Sequence, residues 1–291
     1  MQSESATLAP PRSAVTIRRA AHLGLCFGVR DAIALALEES RRQPLTVLGQ
    51  LAHNESIVSD LRSRGIGLED HAAAVKTPAV MITAHGASEK TLQQARARGL
   101  RVLEATCPLV HYAHRAVQQL AREQFYPVII GQRGHVEVRG LTEDLDAFDI
   151  VLTDEDVEQL AERPRFGIAA QTTQPIQNVR RLVELIRRRF PRAEVRFVDT
   201  VCQPTKLRQT AAVELAEQSD VVVVVGGLHS NNTRQLAATC ARHCPRVHHV
   251  RDAGDLRPEW FADARAVGLT AGTSTPDEII DAVEDWLQTN L

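Results

Sequence analysis

Gly24-Leu25-Cys26-Phe27-Gly28, Ala105-Thr106-Cys107-Pro108-Leu109 and Thr200-Val201-Cys202-Gln203-Pro204 are three versions of one event. In each, a strand-like run ends, a cysteine follows, and a helical pattern begins. A histidine then follows at nearly constant distance: His53 27 residues after Cys26, His135 28 after Cys107, and His229 27 after Cys202. The segments that carry these histidines are alike too: Leu48-Gly-Gln-Leu-Ala-His53, Ile130-Gly-Gln-Arg-Gly-His135 and Val225-Gly-Gly-Leu-His229. Each unit adds a third element, a strand that runs into small hydroxyl residues. These are Ala84-His85-Gly-Ala-Ser88, Ala170-Gln-Thr172-Thr173 and Ala271-Gly-Thr273-Ser274. Three matched sets predict an α/β fold of three pseudo-threefold-related units around a common centre.

The rest of the chain agrees with that plan. Strands are expected at 45–48, 79–83, 101–105, 127–131, 166–170, 195–199, 220–225 and 266–271, with amphipathic helices over 29–39, 109–122, 176–189 and 206–218. Alternation of this kind predicts parallel sheets covered by helices. Val221–Val225 has no polar alternation, as a strand buried on both faces requires. The repeat divides the chain into a first unit at 26–106, a second at 107–202, and a third made of 15–25 plus 203–291. Residues 1–14 are polar, contain proline, lack the apolar core of a signal peptide, and read as a disordered tail.

Composition narrows the function. The 34 basic and 36 acidic residues leave a formal charge of −2, and aromatic residues are only 4%. Neither a basic surface nor base-stacking platforms for nucleic acid are expected. No apolar run approaches the roughly 20 residues of a membrane span. Five cysteines, an odd and scattered set, argue against a disulfide framework and for the cytoplasm, where thiols stay reduced.

Cysteines at three equivalent strand ends would meet near the threefold axis. A single free cysteine is usually a core thiol, but that reading does not explain three in register. Zinc stays open as a ligand, although structural zinc usually takes four tetrahedral ligands and this chain has no C-x-x-C pair. Three thiolates suit a [4Fe–4S] cluster with one iron left open. Around that centre fall His53, His85, His135 and His229, with Glu137 two residues past His135, on the same side of an expected extended segment. Imidazoles can hold an anion and a carboxyl group can deliver a proton. Thr172, Thr173, Ser230, Asn232 and Ser274 add hydroxyl and amide donors. Several of them also read as plain helix caps, and Thr275 to Glu278 has capping-box spacing with Pro276 as the first helical residue. Helix N-termini with such side chains bind phosphate as well. Cys240 and Cys244, with His243, His248 and His249, have the look of a loose metal cluster, but they fall at a helix end away from every repeat position.

Gly24-Leu-Cys26-Phe-Gly-Val, Ala84-His85-Gly, Ala105-Thr-Cys107-Pro-Leu-Val, Gly134-His135-Val-Glu137-Val, Gln171-Thr172-Thr173, Ser230-Asn-Asn232-Thr and Thr270-Ala-Gly-Thr-Ser274-Thr-Pro together resemble the signatures of the 4-hydroxy-3-methylbut-2-enyl diphosphate reductases, the LytB family. The resemblance runs in order from about residue 15 to the last residue. It implies an oxidoreductase of the non-mevalonate isoprenoid pathway, with a trefoil fold around one [4Fe–4S] cluster. The implied reaction removes a hydroxyl group with two electrons and two protons, giving isopentenyl and dimethylallyl diphosphates. By position, the resemblance implies that Cys26, Cys107 and Cys202 hold the cluster. It makes Glu137 the proton source, working with Thr172. It gives the diphosphate to His53, His85, His135, Thr172, Ser230, Asn231, Asn232 and Ser274, and it implies a ferredoxin or flavodoxin as electron donor. The chain departs from the family pattern at Gln50 and Val136, where proline is usual, and at Leu228-His229, where Lys-Asn is usual. The rival readings are a paralogue with the same cluster and another substrate, and a non-catalytic iron–sulfur sensor.

Overall fold

Short β-branched runs become buried strands, and the helices between them fold back over both faces of each sheet. The computed structural model describes residues 15–52 and 54–291; His53 and the 1–14 segment lie outside the described residues. The strands are β1 (Thr16–Arg19), β2 (Leu45–Leu48), β3 (Gly67–Glu69), β4 (Ala79–Ile82), β5 (Arg101–Glu104), β6 (Tyr126–Ile130), β7 (Asp149–Val151), β8 (Arg165–Ala170), β9 (Glu194–Phe197), β10 (Val221–Val225), β11 (Val247–Val250) and β12 (Ala266–Ala271). The helices are α1 (Phe27–Ser40), α2 (Glu55–Ser63), α3 (Glu89–Ala97), α4 (Pro108–Arg122), α5 (Val136–Thr142), α6 (Asp154–Glu158), α7 (Ile176–Arg189), α8 (Gln203–Glu217), α9 (Asn231–Cys240) and α10 (Asp277–Asn290). No helix among the described residues is long and apolar enough to cross a membrane.

The strands form three four-stranded sheets with one shared order: β5-β4-β2-β3, β9-β8-β6-β7 and β1-β12-β10-β11. Every pairing is parallel. β1 enters the last sheet beside β12, with Thr16 opposite Ala266, so the start of the described chain completes the sheet built by its end. Each sheet carries an apolar cluster on either face, which is why β2, β4 and β10 are buried at every residue.

Four strands are not apparent in the sequence: β1, β3, β7 and β11. All are sheet edges of three or four residues. An edge strand buries one side only and needs no apolar run, so it leaves little pattern to read. The capping box at Thr275 does not form. Pro276 is the N-cap of α10 without a side-chain bond, and the Thr275 hydroxyl donates to the Val225 carbonyl at 3.0 Å. That bond ties the turn after β12 to the end of β10.

Candidate functional site

Cysteine edges, hydroxyl strands and histidine strands follow one another across each sheet. The edge strands β1, β5 and β9 lead to Cys26, Cys107 and Cys202. The next strands in, β12, β4 and β8, lead to Ser274, His85 and Thr172. The strands after those, β10 and β6, lead to His229 and His135. With neighbouring strands about 4.8 Å apart, the cysteine strands and the histidine strands stand about 10 Å from each other. In the two sheets that carry His135 and His229, the turn after the intervening strand therefore lies between the cysteine and the histidine.

The three cysteines share one backbone geometry. Each is the N-cap of a long helix, α1, α4 or α8, with φ between −57° and −77° and ψ between 135° and 158°; the Leu109 and Val110 N–H groups are within reach of the Cys107 sulfur, and Thr205 of the Cys202 sulfur. Each carbonyl accepts the first helical bond: Arg30 N–H donates to Cys26 at 3.0 Å, His111 to Cys107 at 3.0 Å, and Lys206 to Cys202 at 3.1 Å. Each cysteine N–H donates to the third element of a unit: Cys26 to the Thr273 carbonyl (3.2 Å), Cys107 to Ala84 (3.1 Å) and Cys202 to Thr172 (3.0 Å). The spacing repeat is thus a repeat of hydrogen bonds.

The three thiols line one cavity together with Phe27, His85, Leu109, Glu137, Thr172, Pro204 and Arg208. A Cβ at Gly28 would stand 2.8 Å from the Cys107 sulfur, so the first turn of α1 can pass the Cys107 thiol only as glycine. Burial pushes the Cys107 and Cys202 thiols up, and negative charge on Cys26 and Glu137 adds to this in both. Such thiols keep their protons until a metal displaces them. Among the described residues no three His, Cys, Asp or Glu side chains gather tightly enough to hold a single metal ion. Three half-buried thiols that line one wall at the positive ends of three helices fit an anionic group several atoms wide, such as an iron–sulfur cluster.

Glu137 is buried against this cavity. The Thr172 N–H donates to its Oε1 at 2.6 Å, and the Thr172 hydroxyl donates to its Oε2 at 2.9 Å. Burial raises the carboxyl to about 7 against the restraint of those two bonds. The segment from His135 to Glu137 is not extended, as the sequence had suggested. His135 is the N-cap of α5 and Glu137 lies in its first turn, where the Glu137 N–H donates to His135 Nδ1 at 3.1 Å. That bond leaves the neutral imidazole's proton on Nε2. The turn before it depends on Gly134, whose φ of +81° suits glycine.

His85 and His135 meet edge to face with centroids 5.6 Å apart. They join the thiol cavity to a second cavity of about 470 Å³, which His71, Arg133, His135, Arg139, His229 and Asn231 line together with Asp70, Gln50 and their neighbours. It is rich in cations and hydrogen-bond donors. His71, Arg133 and Arg139 went unrecognised in the sequence; the signal available was two arginines flanking a repeat histidine. His229 lies at the rim of this cavity and is exposed, rather than pointing into the centre as its repeat position suggests. Ser230, Asn231, Asn232 and Ser274 are buried. Ser230 caps α9, Asn232 Oδ1 accepts from the Thr273 N–H at 2.9 Å, and Asn231 Nδ2 is a buried donor with no partner among the described residues. Cys240 and Cys244 are core thiols beneath β10; burial pushes Cys240 up to about 12.

A family model described as "LytB protein" matches residues 17–288. A 4-hydroxy-3-methylbut-2-enyl diphosphate reductase of Aquifex aeolicus is 37% identical over 281 residues, covering 94% of this chain and 96% of the relative. One from Trichlorobacter lovleyi is 36% identical, covering 91% and 94%. Among solved structures, the E-1-hydroxy-2-methyl-but-2-enyl-4-diphosphate reductase of Plasmodium falciparum aligns with a TM-score of 0.87 at 26% identity, over 94% of this chain and 88% of that one. A second, described as (E)-4-hydroxy-3-methyl-but-2-enyl diphosphate reductase, the terminal enzyme of the non-mevalonate pathway, aligns with a TM-score of 0.67 at 36% identity, over 95% and 100%.

Proposed function

This chain belongs to the LytB family, and from that membership we infer that it reduces 4-hydroxy-3-methylbut-2-enyl diphosphate to isopentenyl and dimethylallyl diphosphates, the last step of the non-mevalonate isoprenoid pathway. The single observation that carries the reading to this chain's own chemistry is the buried Glu137–Thr172 pair beside three thiols in one cavity. The units 26–106, 107–202 and 15–25 with 203–291 are the domains, and the three cysteines sit at their junctions.

Cys26, Cys107 and Cys202 hold a [4Fe–4S] cluster. When bound, the cluster supplies electrons and one iron free of protein ligands. Loss of the substrate hydroxyl as water consumes two electrons and two protons. Glu137 keeps its proton up to about pH 7 because burial opposes its ionisation, and the two Thr172 bonds aim its carboxyl group. His135, whose Nδ1 accepts from the Glu137 N–H, keeps its proton on Nε2, the nitrogen that donates to an anion. His53, His85, Ser230, Asn231, Asn232 and Ser274 share the diphosphate with it, and the free Asn231 amide donor supports that role. The cationic cavity beyond them is the route by which a diphosphate enters.

The electrons come from an acidic carrier of the ferredoxin or flavodoxin type, in the cytoplasm. Phe27, Tyr112 and Leu207 are three of the four exposed large hydrophobics among the described residues. All three lie in the first two turns of the helices that begin at the cysteines. Outside the core, the first eight residues of those helices carry Arg30, Arg115 and Lys206 against one acid, Asp31, with Arg30 also paired to Asp277 and Lys206 to Asp199. An apolar centre with a basic rim at the thiol end suits an acidic partner, while substrate enters at the histidine end.

The test is turnover. Protein loaded anaerobically with iron and sulfide, given a chemical reductant and 4-hydroxy-3-methylbut-2-enyl diphosphate, is expected to release both isoprenoid diphosphates. Loaded and reduced protein that binds the substrate without turnover would overturn the reading in favour of a sensor. No binding at all would favour a paralogue.

A further inference from the structure

Among the described residues, Arg208 is the one buried arginine, and its charge meets no carboxylate there. It is 5% exposed on α8, six residues after Cys202, and it lines the thiol cavity. Its Nη2 donates to the Gly24 carbonyl at 2.9 Å and its Nη1 to the Pro204 carbonyl at 3.2 Å. Its Nε is buried with no partner. It makes no ion pair among the described residues, whereas the buried Glu39 is paired with Arg42 and Arg101. A buried guanidinium that meets only neutral carbonyls is costly unless a negative charge arrives. The groups that offer one are the two sulfurs beside it: burial pushes Arg208 down, and negative charge on Cys26 and Cys202 pulls it back up.

We propose that Arg208 is the buried counter-ion of the thiolate-held cluster, there to favour its uptake and its reduction. The inference rests on the cluster reading above. A [4Fe–4S]²⁺ core held by three thiolates carries a net charge of −1, which one guanidinium balances. One-electron reduction takes the core to 1+ and the assembly to −2, so a fixed positive charge favours the reduced form more than the oxidised one. Net charge and hydrogen bonds are the levers that set such potentials. Arg208 is a positioning residue: it acts on electron affinity and touches no reacting bond. Its two carbonyl bonds hold the loop before Cys26 against the helix that follows Cys202, fixing the charge between two of the three ligands.

The experiment is a potentiometric titration with dithionite, followed by the cluster's electron paramagnetic resonance, on loaded wild type, Arg208→Gln and Arg208→Lys. Iron and sulfide content and circular dichroism are read on the same samples. Gln keeps a donor for the Gly24 or Pro204 carbonyl and drops the charge; Lys keeps the charge. The expected result for Arg208→Gln is a reduction equilibrium at least tenfold less favourable, a fall of 59 mV for one electron, or a natively folded protein that fails to keep its cluster. Arg208→Lys is expected to stay within threefold of wild type. A fully loaded Arg208→Gln with unchanged potential overturns the proposal, as does an Arg208→Lys that shifts as far as Gln. Should Arg208→Gln not fold, Arg208→Met, which also drops the charge, takes its place with the same limits. Wild type that takes up no cluster would overturn the cluster reading itself and this role with it, a result distinct from an intact cluster indifferent to Arg208.

Discussion

Replacing Glu137 with Gln tests the proton source. The two side chains have nearly the same shape, and the amide oxygen can still accept from the Thr172 N–H, which stands at 2.6 Å in the native pair. Only the transferable proton is lost. Burial holds the native carboxyl near 7, so about half of it is in the acid form at pH 7. General acid catalysis is typically worth ~10²–10⁴-fold, and the loss is expected in kcat with substrate affinity unchanged, because the proton moves only in the transition state. Wild-type kcat is expected to fall as pH rises through about 7, where the acid form disappears, and the Gln profile should lack that limb. Stability changes in the same window. The folded carboxyl keeps a proton that the unfolded one releases near 4.5, so cluster-free wild type loses stability as pH rises from about 4.5 to 7. With the carboxyl raised from 4.5 to about 7, the loss approaches roughly 3 kcal/mol above pH 7, and it is absent from Glu137→Gln. The assays are anaerobic turnover with a chemical reductant across pH, and thermal melting of the cluster-free proteins. A Gln variant with kcat within tenfold of wild type, or one that keeps the limb near 7, would refute the assignment.

Thr172→Val removes the hydroxyl bond that lowers the Glu137 carboxyl, so the pH limb of kcat should move upward; a limb that stays in place would detach Thr172 from Glu137. Gly28→Ala puts a methyl 2.8 Å from the Cys107 sulfur and is expected to lower iron content per chain with circular dichroism unchanged; full iron occupancy would show that the first turn of α1 has room to spare. Tyr112→Glu with Leu207→Glu places two acids on the exposed apolar collar. The rate driven by a reduced ferredoxin should fall at least tenfold, while the rate driven by dithionite holds; equal losses in both would remove the collar as the docking face.

Much of this arrangement is legible in the residues because the chain states it three times. Cys26, Cys107 and Cys202 look alike in sequence since each must end a strand, accept the first bond of a helix and donate its N–H to the neighbouring turn. The central strands are plain because they are buried on both faces. The edges β1, β3, β7 and β11 are not, since three or four residues show no pattern and only pairing identifies them, whereas the edges β5 and β9 are marked by the cysteines that follow them. Glu137 is visible as a residue two past a repeat histidine, but its surroundings are not. Its partner Thr172 is 35 residues away, and its raised pKa comes from burial that no local pattern encodes. His71, Arg133 and Arg139 join the outer cavity from separate turns and helices, a convergence set by tertiary packing alone. Arg208 reads as an ordinary basic residue on an amphipathic helix; only its burial without a carboxylate marks it.

The central claim is that three particular cysteines, and no others, hold an iron–sulfur cluster. Iron and acid-labile sulfide, counted per chain in anaerobic protein, test it most directly across wild type and the five single Cys→Ser variants. Wild type, Cys240→Ser and Cys244→Ser are expected to hold about four of each, as a [4Fe–4S] centre requires, while Cys26→Ser, Cys107→Ser and Cys202→Ser lose the cluster. Stoichiometric zinc without sulfide in wild type, or a full cluster surviving the loss of Cys26, Cys107 or Cys202, would contradict the account.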